Sequence, residues 1–267
     1  MRIASFDIGK KNFSQYAQDT DLDLIIKLQN KYKSLPKNKQ RRVKGDMNSD
    51  IEDILKQIYL AGTQIHMGVY DFRLHKDSDK LDMPTRKNLL IHLNRYRRLW
   101  KTCDVIVIEQ QYYRTFNPKK KGRNKGTEAN VDAIKIGEAT LMWFLDKYPQ
   151  KEIMYFGSQF KTQILGAPWG LTKSQRKNWA IEKTREIANL RNDTEMIEIF
   201  NLKDRIFRKR LTKEDKIQEF IDSYPGTKKY TKKLAVRMVR ERQKLDDVSD
   251  SCVQAQAFIF KYLVAEF

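Results

Sequence analysis

The stretch Asp104-Val-Ile-Val-Ile-Glu109 limits the possible folds of this chain more than any other segment. Four consecutive β-branched apolar residues make a strand that is stable only with both faces covered, so it belongs inside a sheet with helices on either side. A shorter run, Arg2 to Asp7, has the same plan: apolar residues, a terminal carboxylate, then Gly9 and a polar turn. Phe13 to Gln18 is predicted to pair back on it as a hairpin. Further strands are expected at His66 to Phe72 and Glu152 to Phe156.

Helical spacing of apolar residues predicts helices between these strands. One spans 84–100, with Leu89, Leu90, Leu93, Tyr96 and Leu99. A second spans 128–147, with Ile134, Leu141, Met142 and Leu145 on one stripe and Gly137 allowing close approach. Others run from Lys173 to Asn189, and from Asp246 to Val264, the last being apolar but opening on acids. Strands first, then strands alternating with helices, give an α/β class with a mixed sheet. The 267 residues are read as one domain, 1–267, interrupted by two basic insertions at about 19–62 and 191–244.

Charge narrows the function. Lys and Arg number 53 against 34 Asp and Glu, a net charge of +19. Such an excess repels itself within a compact state, and a polyanion is its simplest counterpart. The basic groups crowd into 31–44, 114–125 and 203–244, outside the predicted core. They suit phosphate contacts that ignore base sequence. Cys103 and Cys252 lie in no C-x-x-C, and His66, His75 and His92 are scattered. Neither a zinc site nor a disulfide framework is expected, and an intracellular, reducing compartment fits. No apolar run reaches membrane-spanning length, and the opening strand leaves no signal peptide. Gly166 to Ser174 lacks the spacing of a phosphate loop, and Thr172 or Ser174 serves better as a helix cap.

Four acids occupy telling positions. Asp7 and Glu109 terminate buried strands, and Asp247 and Asp250 stand three apart at the start of the last helix, on one face. Ionised carboxylates crowded at buried strand ends destabilise one another unless a cation joins them. Oxygen clusters of this kind suit hard ions such as Mg²⁺, and a pair of such ions can drive phosphodiester cleavage. Taken singly, each acid has a plainer role as a turn residue or a helix N-terminal acid. The order strand-Asp, strand-Glu, helix-Asp-x-x-Asp favours the metal site. Asp247, sharing the face of Asp250, is expected as the ligand, and Asp246 as the N-cap.

In this order, Phe6-Asp7-Ile8-Gly9, Val105-Ile106-Val107-Ile108-Glu109-Gln110 and Asp246-Asp247-Val248-Ser249-Asp250 resemble the RuvC-like Holliday junction resolvases. The likeness is greatest to the branch of poxviruses and other large DNA viruses, with a fungal mitochondrial branch as cousin. Ser158 to Gly166, with Lys161, is similar to that family's lysine segment. The resemblance spans the core elements and skips both basic insertions. It implies an RNase H-like fold in which Asp7, Glu109, Asp247 and Asp250 bind two Mg²⁺ ions, with Mn²⁺ as substitute. It implies that Lys161 contacts the scissile phosphate or the nucleophile. It further implies a homodimer that resolves four-way or other branched DNA by paired symmetric nicks, in the cytoplasm or a viral factory. Tyr112 stands where some resolvases carry an aromatic wedge. With Tyr113, Arg114, Lys119, Lys120, Lys121, Arg123 and Lys125 it forms the expected DNA-binding stretch. The alternatives are another RNase H-like nuclease, acting on RNA–DNA hybrids or in transposition, and a non-catalytic junction-binding protein.

Overall fold

Five strands form one mixed sheet in a computed structural model that describes residues 1–40, 47–74, 81–111, 115–116, 126–127, 130–158, 161–208 and 245–266. Strands β1 (Arg2–Asp7), β2 (Phe13–Thr20) and β3 (Gly62–Tyr70) are antiparallel neighbours. Strand β4 (Val105–Gln110) runs parallel to β1 on its other side. The short strands β5 (Thr115–Phe116) and β6 (Gly126–Thr127) pair only with each other. Strand β7 (Glu152–Gly157) runs parallel to β4 and completes the sheet order β3-β2-β1-β4-β7. That order, with a single antiparallel excursion at β2, is the RNase H-like arrangement, and it agrees with the expected α/β class.

Among the described residues six helices lie between the strands and four follow the last strand. They are α1 (Leu22–Ser34), α2 (Lys37–Gln40), α3 (Ser49–Leu60), α4 (Met83–Arg95), α5 (Arg97–Thr102), α6 (Val131–Lys147), α7 (Lys161–Ile164), α8 (Lys173–Arg191), α9 (Thr194–Arg208) and α10 (Leu245–Phe258). A π-helical run, Ile259–Val264, continues α10. The strands' alternation divides the core in two. Ile3, Tyr16, Val105 and Val107 face α1, α3, α8 and α10, whereas Ala4, Phe6, Phe13, Ile106 and Ile108 face α4, α5 and α6.

Several expectations needed revision. The third strand begins at Gly62 rather than His66, because β2 runs on to Thr20 and its antiparallel ladder carries β3 back to the Thr20–Gly62 pair. The 84–100 helix breaks at Tyr96, whose backbone leaves helical geometry and whose hydroxyl meets that of Tyr70 at 2.8 Å. Leu90 consequently faces solvent. On α6 the buried face is Ala133, Ile134, Ile136, Gly137, Thr140, Trp143 and Phe144, and Met142 and Leu145 are exposed. The larger aromatic rings set the helix rotation, with Phe144 packing on Phe6 and Trp100. The segment after β2, expected as a basic insertion, carries three helices. Ile25, Leu28 and Tyr32 of α1 and Ile51, Ile54, Leu55 and Ile58 of α3 enter the first half of the core at helical spacing. The described bases of that segment are exposed, and Lys31, Lys33 and Lys39 pair with Asp53, Glu266 and Asp50.

The expected helix cap is present. Thr172 caps α8 in a reciprocal capping box with Gln175. Cys103 and Cys252 are buried free thiols. His92 is buried, and its Nε2 donates to the Gln15 side-chain oxygen at 2.9 Å while the Gln15 amide reaches His66 at 2.6 Å. His75 lies outside the described residues. No helix among the described residues is long and apolar enough to cross a membrane.

Candidate active site

Register brings the first two acids together. Phe6 pairs with Ile108 in the parallel β1–β4 ladder, so Asp7 and Glu109 are the next residues on adjacent strands, roughly 5 Å apart. Ile3 and Ser5 share a face with Asp7, as Val105 and Val107 do with Glu109, and this is the face that α10 covers. Helix α10 is held there by polar contacts as well as apolar ones. Gln254 donates to Ser5 Oγ and to the Phe6 carbonyl, and Ser251 meets Ser14 at 2.7 Å. The anchoring sets Asp250, one turn upstream of Gln254, beside the strand ends.

Lys161, the first residue of α7, reaches into the same space. Its Nζ stands 2.9 Å from Glu109, 3.4 Å from Asp250 and 3.7 Å from Asp7. The lysine is only 6% exposed, which is tolerable for an ammonium only among opposite charges. Burial opposes its charge, but Asp250, Glu109 and Asp7 outweigh that and hold its pKa well above the usual lysine value. Burial and the neighbouring Glu109 raise Asp7 far above the ordinary carboxylate range, against the pull of Lys161. Burial and Glu109 likewise raise Asp250. Glu109, equally buried, moves the other way: the charge of Lys161 and hydrogen bonds from Asp7 and Lys161 overcome desolvation. Gln111 donates to the second Glu109 oxygen at 2.5 Å.

The remaining acids sit differently from expectation. Helix α10 begins at Leu245, so Asp246 is its second residue and not its cap. Asp246 receives an ion pair from Lys177 of α8. Asp247 is buried in the same first turn, close enough to Lys177 to raise the pKa of that lysine along with Asp246 and Asp250. Lys177 was not singled out by sequence, where nothing separates it from the other bases; only the packing of α8 against α10 reveals it. Asp7, Glu109, Asp250 and Lys161 thus converge, and Asp246, Asp247 and Lys177 flank them. Tyr112, Tyr113, Arg114, Lys119, Lys120, Lys121, Arg123 and Lys125 lie outside the described residues.

Among the described residues no three His, Cys, Asp or Glu side chains are arranged to hold one metal ion. The centre of the acidic group is taken by the Lys161 ammonium, which stands in for the positive charge that these buried carboxylates require. Their donor atoms are all oxygen, the set that hard divalent cations prefer, so in chemistry the residues fit such an ion.

The chain is similar to the uncharacterized protein 97L of Invertebrate iridescent virus 3, at 25% identity over 203 residues, covering 71% of this chain and 87% of that one. Among solved structures it is similar to the fowlpox virus Holliday junction resolvase, at 14% identity and a TM-score of 0.39, covering 97% of this chain and 96% of that one. A second is RuvC of Thermus thermophilus, at 10% identity and a TM-score of 0.35, over 71% and 81% of the two chains. No family model matches the chain.

Proposed function

We propose that this chain is a divalent-metal-dependent endonuclease of branched DNA, a single RNase H-like domain that acts as a homodimer and resolves four-way junctions by paired symmetric nicks. One observation carries the reading: Asp7, Glu109 and Asp250, from two strands and a distant helix, meet around Lys161 at the ends of the parallel strands. The strong basicity of the chain supplies the matching affinity for a polyanion. The motif order that resembles the RuvC-like resolvases points to branched DNA as substrate.

Asp7, Glu109, Asp247 and Asp250 would hold Mg²⁺ ions, with Mn²⁺ as substitute, and bound ions would supply water activation and charge stabilisation at the leaving oxygen. Asp7 and Glu109 are fixed by the central sheet, so their separation cannot relax when charge builds between them. Lys161 rides on a four-residue helix and is the more movable partner. Its ammonium is the group placed to offset negative charge on a phosphate entering the acidic centre. Lys177 pins Asp246 to α8 through an ion pair. The basic stretch at 112–125, which includes Tyr112, is proposed as the DNA contact nearest the glutamate.

The test uses purified protein with Mg²⁺ on a synthetic four-way junction labelled on each strand, beside an RNA–DNA hybrid of the same length. Symmetric nicks in opposing junction strands are expected, and joint Asp247→Asn and Asp250→Asn substitution should abolish them while junction binding persists. Hybrid cleavage without junction cleavage would establish the RNase H-type alternative. Binding with no cleavage under any divalent metal would establish the junction-binding one.

A further inference from the structure

Beside the acidic centre, on the far side of α7, lies a cavity of about 260 Å³ lined by Met47, Glu52, Leu55, Lys56, Tyr59, Leu165, Gly166, Trp179, Lys183 and Glu186. Its walls belong to α3, to α8 and to the turn that ends α7. That turn follows Lys161 by four residues, about 6 Å along a helix axis, so cavity and acidic centre share one short element. Helix α8 joins them too, since Lys177 touches Asp246 while Trp179, Lys183 and Glu186 line the cavity.

The lining is specific in kind. Tyr59 is 1% exposed, and its hydroxyl has no hydrogen-bond partner among the described residues. Trp179 presents a second ring. The Lys183 ammonium lies 5.7 Å from the Tyr59 ring centre and 5.5 Å from that of Trp179, tethered by Glu186 at 2.6 Å. The Trp179 ring thus borders a space whose polar groups include acceptors, Glu52 and Glu186, and donors, Lys56 and Lys183. Gly166, in the turn that lines the cavity, adopts φ +101°, a backbone conformation that favours glycine. The volume is many times the ~30 Å³ share of a water yet below the roughly 300 Å³ at which drug-sized ligands begin to fit. One planar heteroaromatic ring with polar edges matches all of these features.

We propose that this cavity receives a single unstacked nucleobase from the DNA strand held at the acidic centre, stacking it on Trp179. The inference rests on the nuclease reading above and adds to it a means of choosing the nucleotide beside the cut. Lys183, now lying over both rings, would move toward the neighbouring phosphate as the base enters.

A junction series carrying one abasic site at each position near the crossover tests this, with Kd measured in Ca²⁺ for wild type, Trp179→Ala and Trp179→Phe. At one position the abasic site should weaken wild-type binding by about 5- to 150-fold, the worth of one base–aromatic stack. Trp179→Ala should bind the intact junction correspondingly more weakly and suffer no further loss from that abasic site, whereas Trp179→Phe should behave as wild type. Penalties that add at every position, or an unchanged Kd for Trp179→Ala, would overturn the base pocket while leaving junction cleavage, and hence the nuclease reading, intact. Failure to bind or cut any junction would sink the nuclease reading separately. A free nucleoside monophosphate that saturates the cavity without competing with junction DNA would replace a strand-derived base by a soluble effector.

Discussion

At the residue scale the fold is most exposed to change at Lys161. Three buried carboxylates face its ammonium, so Lys161→Ala leaves like charges without their partner, a loss of roughly 3–5 kcal/mol for a buried pair. If the acids hold a metal, millimolar Mg²⁺ replaces the missing charge. Thermal unfolding should then show a larger Mg²⁺-induced rise in Tm for Lys161→Ala than for wild type; equal shifts would argue against metal binding by these acids. His66 makes a different prediction. Burial lowers its pKa to about 4, and its near neighbours, Gln15, Tyr96 and Trp100, carry no charge that would favour the imidazolium. The unfolded chain takes up that proton near pH 6.5, so the stabilising contribution is complete above 6.5 and is lost progressively as pH falls toward 4. Denaturant unfolding between these pH values should show a decline of at most about 3 kcal/mol from this group, and His66→Gln should remove that part of the slope. The acids of the site were legible in sequence because a carboxylate ending an apolar strand has few structural uses. Lys177 was not, because a lysine among 53 bases gains meaning only from what it touches.

At the scale of elements, the rotation of α6 shows how packing overrides a simple stripe. Ile134, Leu141, Met142 and Leu145 all look eligible for a core face, yet Phe144 and Trp143 take the interior and Met142 is left 60% exposed. Phe144 contacts Phe6, Trp100, Trp143 and Tyr148, so Phe144→Ala should cost about 3–5 kcal/mol. Met142→Ala should stay within about 0.5 kcal/mol. Chemical denaturation of the two variants checks the assignment, and similar losses for both would refute it. The types and approximate bounds of the core strands and of α4, α6, α8 and α10 followed from periodicity, whereas the separate helices within 22–60, the exact start of β3 and the break at Tyr96 did not.

Across the whole molecule, the net charge of +19 sets the expected response to salt. If the basic surface contacts phosphates, log K for junction binding should fall linearly with log salt, with a slope steeper than about −5. Fluorescence anisotropy between low and physiological salt measures it, and a slope shallower than about −2 would mean that few of these charges touch DNA. Part of the positive charge of α1 and α2 is already neutralised by Asp53 and Asp50 of α3 and by Glu266. The described helices between β2 and β3 also contribute apolar residues to the core. The basic stretches at 31–44, 114–125 and 203–244 are the proposed phosphate contacts.

By itself the sequence determined the central strands, the α/β class and four carboxylates suited to one chemistry, because those depend on periodicity and on the cost of burying charge, which are local. Only the tertiary structure decided that Lys161 fills the space among the acids, that Lys177 holds Asp246, and that α3, α7 and α8 enclose a cavity beside them. Those facts depend on which distant side chains share a few ångströms, and strand register and helix rotation fix that only when the whole chain packs.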